Sequence, residues 1–136
     1  SRLIQPCQCQ EAHHVVSLTC SQLQSIQQPK RIFEQPFPVN HLWHLTIKNS
    51  TLDDLDANIL SDKSFTVILF QNVSGITKIK QHAFAASVER LRVLTFDSCP
   101  LTELSVQGID DLENLVDFEV TSSVDQLTVL IVCFMP

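Results

Sequence analysis

Five cysteines carry the most reactive side chains of this chain: Cys7, Cys9, Cys20, Cys99 and Cys133, three of them within the first twenty residues. His13 and His14 lie among that first group and raise the question of a metal. A zinc site needs about four convergent ligands at recognisable spacing. Adjacent histidines in a strand point to opposite faces and chelate poorly. Disulfides beside surface histidines are the better reading. Asp53, Asp54 and Asp56 have the start of a calcium-loop pattern without its glycine or closing glutamate, which leaves a solvated turn. Asp110 and Asp111 read as a polar turn ahead of Leu112. No Ser–His–Asp order, nucleophile elbow or Gly-rich phosphate loop occurs. The expectation is a non-enzyme with no catalytic, cofactor-binding or metal-binding residues.

Two asparagines offer modification chemistry. Asn49-Ser50-Thr51 and Asn72-Val73-Ser74 are glycosylation sequons. Together with the cysteine cluster they point to an oxidising, extracellular setting and a secreted protein. No basic-then-apolar leader precedes Ser1, so a secreted form would have lost its signal peptide already. The longest apolar run, Leu127–Met135, falls short of the roughly 18–20 residues of a membrane span. Nine basic residues are scattered against fifteen acidic ones, for a net charge of −6. A nucleic-acid partner needs clustered basic charge, so the expected partner is a protein.

The elements that position these residues follow from a repeat. With 136 residues, 44% hydrophobic and 18% charged, the composition is that of one globular domain. Leu91, Leu94, Phe96, Cys99, Leu101 and Leu104 stand at positions 1, 4, 6, 9, 11 and 14 of a unit, followed by Ile109 and Leu112. Leu115, Phe118 and Val120 reopen the spacing. Upstream, Leu42, Leu45, Ile47, Leu52 and Leu55 fit it. So do Phe65, Ile68 and Phe70, followed by Ile76, Ile79 and Phe84 with one extra residue in the turn. Units starting at Leu42, Phe65, Leu91 and Leu115 are 23, 26 and 24 residues apart. On an α-helix, position 6 would lie about 140° from position 1, so the pattern is not helical. It fits a short strand whose positions 4 and 6 point inward, a turn, and a helical or irregular return. One such unit cannot bury its own apolar side, so units must stack.

These residues resemble the leucine-rich-repeat family. That resemblance implies an α/β fold: a right-handed β/α solenoid with about four short parallel strands on a concave face. The segment PCQC…LTC followed by SQLQSI is similar to the family's cysteine-rich N-terminal cap, with a short strand over His14–Thr19. The family's four cap cysteines pair first to third and second to fourth. Cys7, Cys9 and Cys20 match the second, third and fourth, which implies a Cys7–Cys20 bridge. Cys9 is then left for a partner outside this stretch of chain, and a Cys9–Cys20 bridge stays open. The runs RIFEQPFPVNHLWHLTIKNS and ASVERLRVLTFDSCPLTELS are similar to arthropod leucine-rich-repeat proteins named as the non-catalytic subunit of oplophorus-luciferin 2-monooxygenase. That likeness implies an accessory role beside a separate catalytic subunit.

The chain departs from the family pattern in three places. Position 9, where the family offers asparagine, holds Ser50, Val73, Cys99 and Ser123, and Val73 cannot hydrogen-bond through its side chain. After Val120 the register fails and the sequence ends in a dense apolar run. No C-terminal cap is recognisable. The expected organisation is a cap and lead-in over 1–41, repeats over 42–123, and a divergent apolar tail over 124–136 that includes Cys133. An N-terminal fragment of a longer receptor or matrix protein would look the same.

The candidate binding face is the outward side of the strands. Position 2 supplies Trp43, Thr66, Arg92 and Val116. Position 3 supplies His44, Val67, Val93 and Asp117. Position 5 supplies Thr46, Leu69, Thr95 and Glu119, and position 7 supplies Lys48, Gln71, Asp97 and Thr121. Trp43 and Arg92 are residue types that anchor interfaces, and Val67, Leu69 and Val93 would form a small exposed apolar patch. Asn49 and Asn72 stack at position 8, so glycans there would block that edge.

Overall fold

The computed structural model describes residues 4–101, 109 and 111–122. The expectations placed on Leu104, Ser123, Cys133 and the tail over 124–136 lie outside the described residues. The chain opens with a hairpin of β1 (Cys7–Ala12) and β2 (Val15–Ser21), followed by a short helix α1 (Gln27–Phe33). Four further strands follow: β3 (His41–Thr51), β4 (Ser64–Ser74), β5 (Val93–Cys99) and β6 (Asp117–Ser122). All six form one sheet in sequence order. β1 is antiparallel to β2, and every later pair is parallel. Each parallel neighbour is reached by a full circuit of the chain, so the fold is a β-solenoid of four turns from β2 to β6.

The alternation expected at positions 4 and 6 is what builds the core. Leu18, Leu45, Ile68, Leu94 and Phe118 are consecutive register partners, and all are buried. A second column joins Cys20, Ile47, Phe70, Phe96 and Val120 in the same way. Phe70 and Phe96 stack with ring centroids 4.8 Å apart and planes 1° from parallel, and Phe118 meets Phe96 edge-on at 6.4 Å. These aromatic contacts link three successive turns.

Two features differ from the sequence expectation. The parallel strands number five rather than four, because β2 joins the ladder, and β3 and β4 run to eleven residues each. The ladder continues past position 8, pairing Ser50 with Val73 and Thr51 with Ser74. The circuit also contains less helix than a β/α solenoid. From β2 to β6, the helical segments among the described residues are α1 and a 3-10 turn at Ala85–Ser87. The β3–β4 and β4–β5 returns are instead stacked turns, with a Leu55–Ile79 bridge and an Asn58 N–H donating to the His82 carbonyl at 2.9 Å. Asn58, Ser61 and His82 adopt positive φ, a conformation that interrupts a right-handed helix.

Position 8 has its own regularity. Gln22, Asn49, Asn72 and Ser98 all have φ between 49° and 60° and occupy equivalent places near the C-terminal ends of β2 to β5. Polar residues tolerate this left-handed conformation better than branched ones. Position 9 then points inward. Ser50 accepts the Leu23 N–H at 3.0 Å and donates to the Lys48 carbonyl at 2.8 Å, tying the terminal hairpin to the first turn. Val73 and Cys99 fill the same column as buried apolar groups. Burial, reinforced by the Asp97 carboxylate, pushes the Cys99 thiol up to about 11 despite a backbone hydrogen bond involving Val73. Cys99 is therefore a packing residue, inert at neutral pH.

Cys7 and Cys20 are cross-strand register partners of β1 and β2 and form a disulfide across a sequence separation of 13. Cys9 is a free, exposed thiol. The bridge extends the second core column to the end of the solenoid. A closed loop of this length is worth about 3 kcal/mol. Reduction should lower the melting temperature by roughly 10 °C. A thermal scan with and without a thiol reductant checks this, and identical curves would remove the bridge from the account.

Polar staples hold the returns. Burial by itself would raise the Asp54 pKa, but three hydrogen bonds and the Lys78 charge outweigh it and hold the carboxyl below its ordinary value of 3.8. Asp54 Oδ1 accepts from the Thr77 N–H at 2.8 Å, the Thr77 hydroxyl at 2.9 Å and the Lys78 N–H at 3.1 Å. Asp56 lies between Lys80 at 2.8 Å and Lys30 of α1 at 3.3 Å; hydrogen bonds from those two ammonium groups lower its pKa as well. Both carboxyls are ionised above pH 3.8 whether the chain is folded or unfolded, so their contribution is constant there. It is lost as pH falls from 3.8 through the lower folded values. The melting temperature should therefore hold through pH 5 and decline below about pH 4. Asp54→Asn, which keeps an acceptor oxygen without the charge, should make that decline shallower.

One buried cation was not expected. The Lys63 side chain is almost fully buried, donates to the Phe33 carbonyl at 3.0 Å, pairs with Asp62 and lies 4.7 Å from the Phe37 ring centre. Phe33 is the last residue of α1, so the ammonium satisfies a carbonyl that the helix leaves free.

Candidate binding face

Because positions 4 and 6 are inward, the neighbouring positions 3, 5 and 7 form rows on the other side of the sheet. The register places His44, Val67, Val93 and Asp117 in one row. Thr46, Leu69, Thr95 and Glu119 form the next row, and Lys48, Gln71, Asp97 and Thr121 the third. β2 adds Ser17, Thr19 and Ser21 to the same rows. The face residues nominated from the sequence at positions 3, 5 and 7 are thus brought onto one surface, with Trp43 and Arg92 of position 2 at its rim.

The rows are not uniform across the sheet. In these rows β2 shows hydroxyls. β3 shows His44, Thr46 and Lys48. Val67 and Leu69 of β4 adjoin Val93 of β5 as an apolar centre, half-buried by their row neighbours rather than openly exposed as expected. The far end is acidic: Asp97, Asp117 and Glu119. Thr46 Oγ1 lies 3.2 Å from His44 Nε2, and burial lowers the His44 pKa, so this ring is neutral at pH 7.

Position 2 lies along the rim where the strands begin. Trp43 is 50% exposed and Val116 51%, the two most open large apolar side chains among the described residues. Between them stand Thr66 and Arg92, linked by an Arg92 N–H to Thr66 carbonyl bond of 2.9 Å. Trp43, Thr66, Glu89, Arg90 and Arg92 line a recess of about 420 Å³. Glu89 and Arg90 were missed from the sequence. The signal was there: Arg90 and Arg92 flank the buried Leu91, and such spacing sets both guanidinium groups on the solvent side.

The sequons fall on the opposite rim. Asn72 Nδ2 donates to Asn49 Oδ1 at 2.9 Å, and both side chains are exposed. A recess of about 510 Å³ surrounds them, lined also by Gln22, Gln24, Thr51 and Ser74. The strand-start rim and the strand-end rim are therefore chemically distinct: one aromatic and cationic, the other amide- and hydroxyl-rich.

His13 and His14 form the exposed turn of the β1–β2 hairpin, both at positive φ. Asp54 and Asp56 spend their oxygens on turn N–H groups and lysines, as described above. Asp111 Oδ2 lies 3.2 Å from His82 Nδ1. Among the described residues, no three His, Cys, Asp or Glu side chains converge as a metal-binding group. No helix among them is long and apolar enough to cross a membrane. No family model, curated protein or solved structure matches the chain.

Proposed function

We propose that the chain is a secreted recognition module of the leucine-rich-repeat type, without catalytic activity of its own, that binds a protein through its outward sheet face and strand-start rim. The unit spacing Leu91, Leu94, Phe96, Cys99, Leu101 supports the repeat type, and the paired cysteines together with the two sequons support the extracellular setting. One observation carries the binding reading. An exposed tryptophan and two arginines share a recess at the edge of a sheet face whose centre is apolar. Tryptophan and arginine dominate interface energetics because they combine large area with directed hydrogen bonding. Glycans on Asn49 and Asn72 would occupy the far rim and leave this one open.

The test uses immobilised wild-type chain and a Trp43→Ala/Arg92→Glu variant of equal melting temperature, each exposed to extracellular fluid from the natural source. A protein retained by the wild type and weakened about thirtyfold or more by the variant is the expected result. Equal retention by both would remove the face from the account. Recovery of an enzyme in equal amount, through the same face, would make the chain an accessory subunit.

A further inference from the structure

We infer that the outward sheet face is self-complementary and takes a second copy of this chain, packed face to face about a twofold axis that runs parallel to the strands between β4 and β5. The inference rests on reading this face as a recognition surface and names its occupant.

The argument is one of register and charge. Such an axis lays β3 over the partner copy's β6 and β4 over its β5, with strand positions matched. Each pairing can then be read from the rows. Val67 faces the second Val93, which puts the apolar centre of one copy on that of the other. His44 faces the second Asp117, where the ring can donate to a carboxylate. Lys48 reaches the second Glu119 across one diagonal step, within range of long side chains. Gln71 faces the second Asp97, an amide donor against an acceptor. At the rim, Trp43 lies over the second Val116, the two most exposed large apolar groups covering each other. Arg92 of the second copy falls over Thr66, next to the Trp43 ring, where a guanidinium is attracted to the aromatic face.

None of these pairings sets like charge against like charge. The segregation of Lys48 on β3 from acidic β6 makes this possible, because the twofold brings each end of the face onto its opposite. Two stacked sheets interdigitate at about 10 Å, which the half-buried Val67, Leu69 and Val93 can fill. The footprint is small. Four strands about 4.8 Å apart and six residues of about 3.3 Å rise cover on the order of 400 Å² per copy. The total, about 800 Å² over both copies, falls below the usual range of stable interfaces and in that of transient ones, so the association should be weak and concentration-dependent.

Sedimentation of the purified full chain over a concentration series tests this. The wild type should pass from monomer to dimer. Asp117→Lys/Glu119→Lys and, separately, His44→Glu/Lys48→Glu should each remain monomeric, with affinity reduced about tenfold or more. An equimolar mixture of the two variants should recover a dimer, because the twofold then pairs each reversed patch with its complement. Circular dichroism melts verify that both variants fold. A wild type that stays monomeric at its highest soluble concentration, or a mixture that fails to associate, overturns the inference. Retention of a heterologous protein by a chain that stays monomeric would leave the recognition reading standing while this one fell.

Discussion

Gly75→Ala should destabilise the protein by about 3 kcal/mol or more, one of the largest effects of any single-methyl change in the chain. Gly75 adopts φ +91°, and a Cβ built there would lie 1.6 Å from the Leu52 carbonyl oxygen. Two costs therefore combine: a backbone conformation that L side chains rarely adopt, and a collision with main chain that cannot swing aside. The site is fixed by the neighbouring turn, since the Leu52 N–H donates to the Ser74 carbonyl at 2.8 Å. Gly75 is the extra residue of the second unit. Ser74 still pairs with Thr51, so the insertion falls just after the ladder and delays the next inward anchor to Ile76. Urea unfolding monitored by circular dichroism should show a lower midpoint with an unchanged slope. A midpoint equal to wild type would mean that the turn can move away from Leu52.

Phe96→Ala should cost about 3–5 kcal/mol. Phe96 is fully buried, stacked on Phe70 and met edge-on by Phe118. Its removal opens a cavity between two turns and breaks both aromatic contacts. Neighbouring rings cannot close the gap easily, because each is fixed by its own strand register. In a solenoid, stability is close to a sum of unit and interface contributions, so a lesion at an interior unit weakens both of its interfaces. Hydrogen exchange should therefore lose protection in β4 and β6 together, as well as in β5. Phe96→Leu, which refills most of the volume, should recover more than half of the loss. Loss of protection confined to β5 would show that the turns fold independently.

Most of the architecture was legible before any coordinates. The inward columns Leu45, Ile68, Leu94, Phe118 and Ile47, Phe70, Phe96, Val120 follow from a spacing that only a stacked strand can satisfy. The outward rows follow from the same alternation, which is why the face residues nominated from spacing share one surface. Local composition was a poorer guide to the returns. The β3–β4 and β4–β5 returns took the irregular rather than the helical form, because Asn58, Ser61 and His82 adopt positive φ, and left-handed single residues leave no clear trace in a one-sequence pattern. The Cys7–Cys20 bridge was open from the residues themselves, since three cysteines in fourteen positions permit more than one pairing. The hairpin register, which sets Cys7 opposite Cys20 and Cys9 opposite Leu18, decided it.

What the amino-acid order determined by itself was which side chains point in, which point out, and how many residues separate equivalent ones. These are properties of pleating and stacking, and they repeat. The rest involves atoms brought together from different turns. Examples are a lysine ammonium against a helix-end carbonyl 30 residues earlier in sequence, a glycine beneath the Leu52 carbonyl, and two arginines beside Trp43. Such contacts depend on the circuit each return takes between strands, and that path is set by packing against the neighbouring turn rather than by any local preference of the chain.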